Sequence, residues 1–402
     1  MSEQMSEQMK IKTMVEFQNE MGFKGKRVLL RADYNVPIDK QGNITSDSRI
    51  RESLPTIKYL LEHDAKLIIA THFGRPDGRI VEELRVDKIA EQLSKLVGKK
   101  VMKLNDSIGD EVEKAVAEMK EGEIIMLENI RFHTEEEKND AAFAKKLSRL
   151  ANVFVMDAFG ACHRAHASTE GITGFLPSYA GFLVEKEVSV MSKLLEKPEK
   201  PFMLILGGSK ISDKIEVIKN LIGKANCLLI GGAMMFTFYK AKGLETGKSL
   251  VELDKVDAAK GLLKKSSKKI ILPIDTVAAD KIENNAISKD IDVKKIPKEL
   301  IGLDIGPKTI ELFAKKLVDA KTVLWNGPLG MYEIEKFARG TEEIAKIVSG
   351  LNATTVICGG DTAVVFEKLG LQQKITHLST GGGASLEFLS GKELPGLKAL
   401  MK

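Results

Sequence analysis

Residues 156–169 hold the side chains best equipped for chemistry: an apolar run, Val153 to Met156, gives way to Asp157, His163, Arg164 and His166. An acid, two imidazoles and a guanidinium in the turn after a buried-type strand suit an anion. Three other apolar runs of the first half end similarly, in Arg31-Ala-Asp-Tyr-Asn-Val-Pro37, His72-Phe-Gly-Arg-Pro76 and Glu128-Asn-Ile-Arg-Phe-His133. Ligands of open α/β sheets bind beyond the carboxyl ends of the strands, so these residues should converge. With Arg49, which opens the first long helical stretch, the set comprises Arg49, Arg75, Arg131, Arg164 and His72. Guanidinium forks match phosphate and carboxylate geometry and stay charged near neutrality. Any one of them alone reads as a surface charge. Four strand ends decorated alike read as a receptor for a small, heavily anionic molecule. Asp33 and Asn35 add acceptors for a substrate hydroxyl or for orienting the arginines, while His63, His133 and His166 read as structural or as supports behind the residues that touch the ligand.

The second half decorates its strand ends with glycine: Gly207-Gly-Ser-Lys210, Gly231-Gly232, Asn326-Gly-Pro328, Gly359-Gly-Asp-Thr362 and Gly381-Gly-Gly383. Glycine lets main chain approach a ligand closely. Placed before helices, such turns aim N–H groups and positive helix ends at nucleotide phosphates. Lys210 and Lys214, four apart, should share one face at a helix start and meet the groups in transfer. Asp361 suits Mg2+, which takes carboxylate and phosphate oxygens and keeps waters; capping the following helix is its secondary role. The stretch Gly243 to Ser249 imitates a P-loop, but Lys242 stands where the first glycine belongs and a helical stretch precedes it.

To position these residues the chain must alternate strands and helices. Short Val/Ile/Leu runs separated by amphipathic stretches recur throughout, the pattern of βαβ units with parallel sheets. The expected fold is α/β, with two Rossmann-like domains, each a parallel sheet flanked by helices, joined by a hinge helix. The boundaries fall at residues 1–182, a connecting helix and hinge at 183–199 closed off by Pro198 and Pro201, a second domain at 200–385, and a tail at 386–402 that packs back on the first. Its 402 residues exceed one ordinary core, and 43% apolar content fills two. A net charge of +5 is too small to imply nucleic-acid binding, and no basic run is interleaved with aromatics. Cys162, Cys227 and Cys358 lie far apart, which excludes a disulfide framework or zinc site and fits a reducing cytoplasm. Without a signal-like or membrane-length apolar run, a soluble protein with no membrane partner is expected. The doubled Met-Ser-Glu-Gln of residues 1–8 reads as a second start or a cloning scar.

Over essentially its whole length the chain resembles phosphoglycerate kinases, on the motifs quoted above together with Ser379-Thr-Gly-Gly-Gly-Ala-Ser385. The resemblance implies reversible phosphoryl transfer between 1,3-bisphosphoglycerate and MgADP, giving 3-phosphoglycerate and MgATP, by direct in-line transfer in a cleft closed by hinge bending. It implies that Asp33, Asn35, Arg49, His72, Arg75, Arg131 and Arg164 hold the triose. It further implies that Lys214, Gly306, Asn326, Glu333, Gly359, Gly360, Asp361 and Thr362 contact the nucleotide, and that Gly231 and Gly232 line the adenine pocket. Arg49, Lys210 and Lys214 would serve the migrating group, Asp361 the metal, and the protein would be a monomer. Ser209, where the family often has Ala, and the variable Met331 and Tyr332 are minor departures. The chemistry agrees: a carboxylate acceptor is already ionised near neutrality, so no general base is needed and cations with helix ends suffice. The alternative, a non-enzymatic nucleotide-binding regulator, would keep the glycines but has no use for convergent arginines.

Overall fold

The computed structural model describes residues 10–401, so the repeated Met-Ser-Glu-Gln lies outside the described residues. The chain divides into two compact units: the first takes it as far as Ser192 and again from Glu393, and the second runs Lys193–Lys392.

In the first unit, six strands alternate with helices: β1 (Arg27–Ala32), β2 (Lys66–Ala70), β3 (Val101–Lys103), β4 (Ile124–Met126), β5 (Val153–Asp157) and β6 (Ser178–Ala180). They form one parallel sheet in the order β3-β4-β2-β1-β5-β6. The central strands are buried along nearly their whole length, as strands covered on both faces must be. Val28, Leu30, Leu67, Ile69, Val153 and Val155 anchor the core on one face, where Ile50, Ile57 and Leu60 of helix Ser48–Glu62 pack. Each such side chain contributes roughly 1.5–3 kcal/mol by leaving water. The segment from Glu393 completes this unit: Lys12 N donates to Leu400 O at 2.9 Å, and Gly396 N donates to Cys162 O at 2.9 Å.

The second unit has a parallel sheet in the order β15-β14-β13-β7-β8-β9, built from β7 (Phe202–Leu206), β8 (Cys227–Ile230), β9 (Ile270–Ile271), β13 (Thr322–Asn326), β14 (Thr354–Cys358) and β15 (His377–Leu378). It also carries an antiparallel sheet that the apolar runs did not reveal, in the order β11-β10-β12, from β10 (Asp275–Ala279), β11 (Ser288–Asp292) and β12 (Ile301–Ile305). Its edge strand β11 is polar and solvent-facing, which hides it from a search for buried strands. Because β7 lies between β8 and β13, the strand order reverses between β7 and β13, the place where such sheets open a ligand crevice. Among the described residues no helix is long and apolar enough to cross a membrane.

Candidate active site

In the first unit the carboxyl ends of the adjacent strands β4, β2, β1 and β5 present the predicted anion-binding residues. Asp33 follows β1 and is ion-paired with Arg49, the second residue of helix Ser48–Glu62. Burial pushes the Asp33 carboxyl up, but Arg49, His72 and Arg31 together outweigh it and hold it at about 2. Asn35 Oδ1 accepts from Gly74 N at 2.9 Å, and Arg131 Nη1 donates to Gly74 O at 3.0 Å, so the turn after β2 is tied to those after β1 and β4. Arg131, buried in the 3-10 turn Ile130–Phe132, also has Nε 3.2 Å from Glu137 Oε1. Arg164 packs its Nε 3.3 Å from His163 Nε2 in the turn after β5, and Arg75 stands exposed beside Gly74.

Charge at this cluster comes from guanidinium groups. His72 is buried, and its pKa lies well below the usual imidazole value, chiefly through burial and also through Arg31, Arg131 and Arg49. His166 is held at about 3 by burial and then by Arg131, Arg31 and Arg164. Of the other histidines read as structural, His133 Nε2 lies 2.7 Å from Asp106 Oδ1 and His63 Nδ1 lies 2.7 Å from Tyr59 O. The strongest local network had no signature in the strand-end pattern: Arg31, inside β1, is buried with Glu136, Ser168 and His72. An arginine in an apolar run was the available signal.

In the second unit the glycine turns meet at the β7/β13 switch point. Gly207 N donates to Asn326 O at 3.0 Å, Gly208 N to Pro328 O at 2.8 Å and Gly232 N to Leu329 O at 2.8 Å. Gly232 has φ +62°, and a Cβ there would strike the Gly208 backbone, so close approach explains this glycine. Thr362 Oγ1 accepts from Gly327 N at 2.9 Å, joining the turn after β14 to that after β13. Beside these turns lies a cavity of about 270 Å³ lined by Gly232, Phe236, Leu250, Met331, Glu333 and Asp361 among others. Gly231 is buried against Leu329. Gly306 is the N-cap of helix Pro307–Leu317 and packs on the Asp275 carboxylate, whose oxygens accept from Lys308 N and Thr309 N.

The two lysines do not share a helix face. The helix begins at Ile215, after Lys214, because Gly207 and Gly208 and the bonds from Ser212 N and Oγ to Glu252 hold the preceding residues as a loop. Lys210 is exposed, whereas Lys214 is buried with Nζ bonded to Asn326 Oδ1, and burial lowers its pKa. Asp361 does not cap its helix, Gly360–Lys368; the helix has no side-chain cap bond, and Asp361 Oδ1 accepts from Tyr332 OH at 3.2 Å. Among the described residues no group of three or more His, Cys, Asp or Glu side chains could hold a metal. One exposed carboxylate fits Mg2+ arriving on phosphates, an ion that needs few protein ligands. Cys162, Cys227 and Cys358 are buried and form no disulfide. The P-loop imitation follows helix Met234–Ala241, and its Ser249 Oγ accepts from Gly302 N at 2.9 Å.

Comparisons with known proteins agree with one another. The phosphoglycerate kinase family profile matches residues 18–392. A phosphoglycerate kinase of Dictyoglomus turgidum is 54% identical over 393 residues, covering 97% of this chain and 98% of its own, and one of Pelotomaculum thermopropionicum is 51% identical over 381, covering 94% and 97%. Among solved structures, the phosphoglycerate kinase of Pyrococcus horikoshii matches with TM-score 0.86 at 34% identity and that of Coxiella burnetii with TM-score 0.84 at 38%, each covering 95% of this chain and 97% of its own. Nothing among these relatives favours a non-enzymatic regulator. An arginine-lined strand-end cluster in one unit, a glycine-lined crevice in the other and full-length relatives of a single kind lead to one conclusion: the chain belongs to the phosphoglycerate kinase family and is a kinase.

Proposed function

We propose that the chain transfers a phosphoryl group reversibly and in line between 1,3-bisphosphoglycerate and MgADP, giving 3-phosphoglycerate and MgATP in glycolysis. The observation that carries this reading is the gathering of Asp33, Arg49, His72 and Arg131 by the ends of β1, β2 and β4 with the helix after β1, next to Arg164 beyond β5. In it, Arg49, Arg75, Arg131 and Arg164 hold the triose carboxylate and phosphates, with Asp33, Asn35 and His72 completing the contacts. Neutral imidazoles and fixed guanidinium charge suit an acceptor that is already an anion and has no proton to lose.

The glycine turns with Gly359, Gly360 and Thr362 receive the nucleotide phosphates, and the cavity beside Gly231 and Gly232 receives the base. Glu333, which lines that cavity, and Gly306 also contact the nucleotide. Asp361 holds Mg2+, which supplies charge neutralisation to the phosphates when bound. Lys214, oriented by Asn326, and the exposed Lys210 reach the group in transfer. The two reactants meet when the connecting helix and the 381–383 segment bend. The protein is read as a cytoplasmic monomer, with no nucleic-acid or membrane partner.

A coupled assay for ATP formation from 1,3-bisphosphoglycerate and MgADP tests the reading. The native chain should turn over, and Arg49→Ala should lower kcat by about 10³, the scale of an arginine that stabilises a transferring phosphoryl group. A well-folded native chain without turnover would overturn the reaction; an Arg49→Ala change confined to KM would overturn the role.

A further inference from the structure

The interior of β1 contains a guanidinium, and its partners define the chemistry of a neighbour. Arg31 is 1% exposed; Nε donates to Ser168 Oγ at 2.8 Å, Nη1 donates to the carbonyl of Ala32, and Nη2 lies 3.2 Å from His72 Nδ1. Ser168 Oγ donates its own O–H to Glu136 Oε1 at 2.6 Å, and Glu136 Oε2 accepts from Ser168 N at 2.9 Å. Glu136 is fully enclosed and supplies the counter-charge that keeps Arg31 tolerable there.

Arginine has five donors and no acceptor, and it keeps its proton in proteins. Its bond to an imidazole therefore has one sense: Nη2–H points into the lone pair of Nδ1. A nitrogen that accepts in this way carries no proton, so the ring proton must reside on Nε2. We propose that Arg31 is a positioning residue that locks His72 as the neutral Nε2–H tautomer, so that the ring gives the triose ligand a directed N–H donor and no titrating charge.

This rests on the reading of His72 as a triose contact. Protonating Nδ1 would set two donors against each other across 3.2 Å with like charge on both. Of the charged groups facing the ring, Asp33 favours the imidazolium, whereas Arg31, Arg131 and Arg49 oppose it, in the same sense as burial. An unrestrained histidine would change charge between about pH 5 and 8, and ligand affinity would change with it. Here the donor remains the same throughout that window.

The test uses the full chain with 15N-labelled histidine, free of ligand, with His72 assigned by the signal lost in His72→Gln. Two-bond 1H–15N spectra should show a pyrrole-type Nε2 and a pyridine-type Nδ1, both unmoved from about pH 5 to 8. An Nδ1–H tautomer, or a His72 titration inside that window, would overturn the proposal. Removing both buried charges in Arg31→Met with Glu136→Gln takes away the donor to Nδ1, so the ring should no longer be held as one tautomer and Nδ1 should lose its purely pyridine-type signal. A folded double variant with the original, pH-independent tautomer would remove Arg31 from the role, and if that variant does not fold the native spectrum still decides. Addition of 3-phosphoglycerate should shift the His72 Nε2–H signal. No shift would overturn the triose reading while leaving the ligand-free tautomer measurement to judge the lock.

Discussion

Asp361 bears the whole protein share of the proposed metal site, since its carboxylate lines the cavity and takes one hydrogen bond, from Tyr332. Removing a charge-assisted contact of this kind costs about 1.5–3 kcal/mol. Calorimetry on Asp361→Ala should therefore show MgADP binding weakened roughly ten- to hundredfold, with metal-free ADP nearly unaffected. Equal MgADP affinity in variant and native chain would take the residue out of the site. At this scale the apolar runs located Asp33, His72, Arg131 and Asp361 beyond strand ends, whereas Asp157, which also closes such a run, turns instead to the start of helix Phe182–Glu196. The sequence was silent about Glu136 and Ser168, because their partner Arg31 belongs to a strand and the contacts span 137 and 32 positions of chain.

Among the elements, two strands carry carboxyl groups that fold into apolar surroundings. Asp157 ends β5, and its Oδ1 accepts from Leu183 N at 2.9 Å at the start of helix Phe182–Glu196; burial pushes it up to about 7. Asp304, in β12, accepts from Ile305 N at 2.8 Å and Gly340 N at 2.7 Å, and burial pushes it up to about 8. An unfolded aspartate titrates near ~4, so between that value and 7 or 8 the folded chain binds more protons than the unfolded one. Stability contributed by these groups must then fall as pH rises through the window. Asp304→Asn, which keeps an acceptor and removes the titration, should flatten the decline of Tm between about pH 4 and 8. A pH dependence of Tm identical to that of the native chain would show that Asp304 does not titrate as described. Strands of Val, Ile and Leu ending in Gly or Arg announced the parallel sheets. The antiparallel sheet did not announce itself because β11 is Ser-Lys-Asp-Ile-Asp, with no buried face to pattern; in the parallel sheet of the first unit, the three-residue β6 is too short to show one. Helical spacing misled at Lys210 and Lys214 for a similar reason: spacing cannot show that Glu252 holds Ser212 in a loop.

For the whole molecule, the proposed division of labour puts the triose on one unit and the nucleotide on the other, and under that proposal transfer requires both ligands to be brought together. Bending that does so also excludes water, which would otherwise hydrolyse the acyl phosphate. Small-angle scattering should report a smaller radius of gyration with 3-phosphoglycerate and MgATP together than with either alone. An unchanged radius with both present would argue for a reaction path without closure.

The return of the chain to the first unit has an effect on how the protein comes into being. Residues 393–401, which bond to Lys12 and Cys162, are translated after the whole of the second unit. Domains ordinarily fold as they emerge from the ribosome, the N-terminal one first. Here the early unit cannot close its contacts at Lys12 and Cys162 until the later unit has been synthesised.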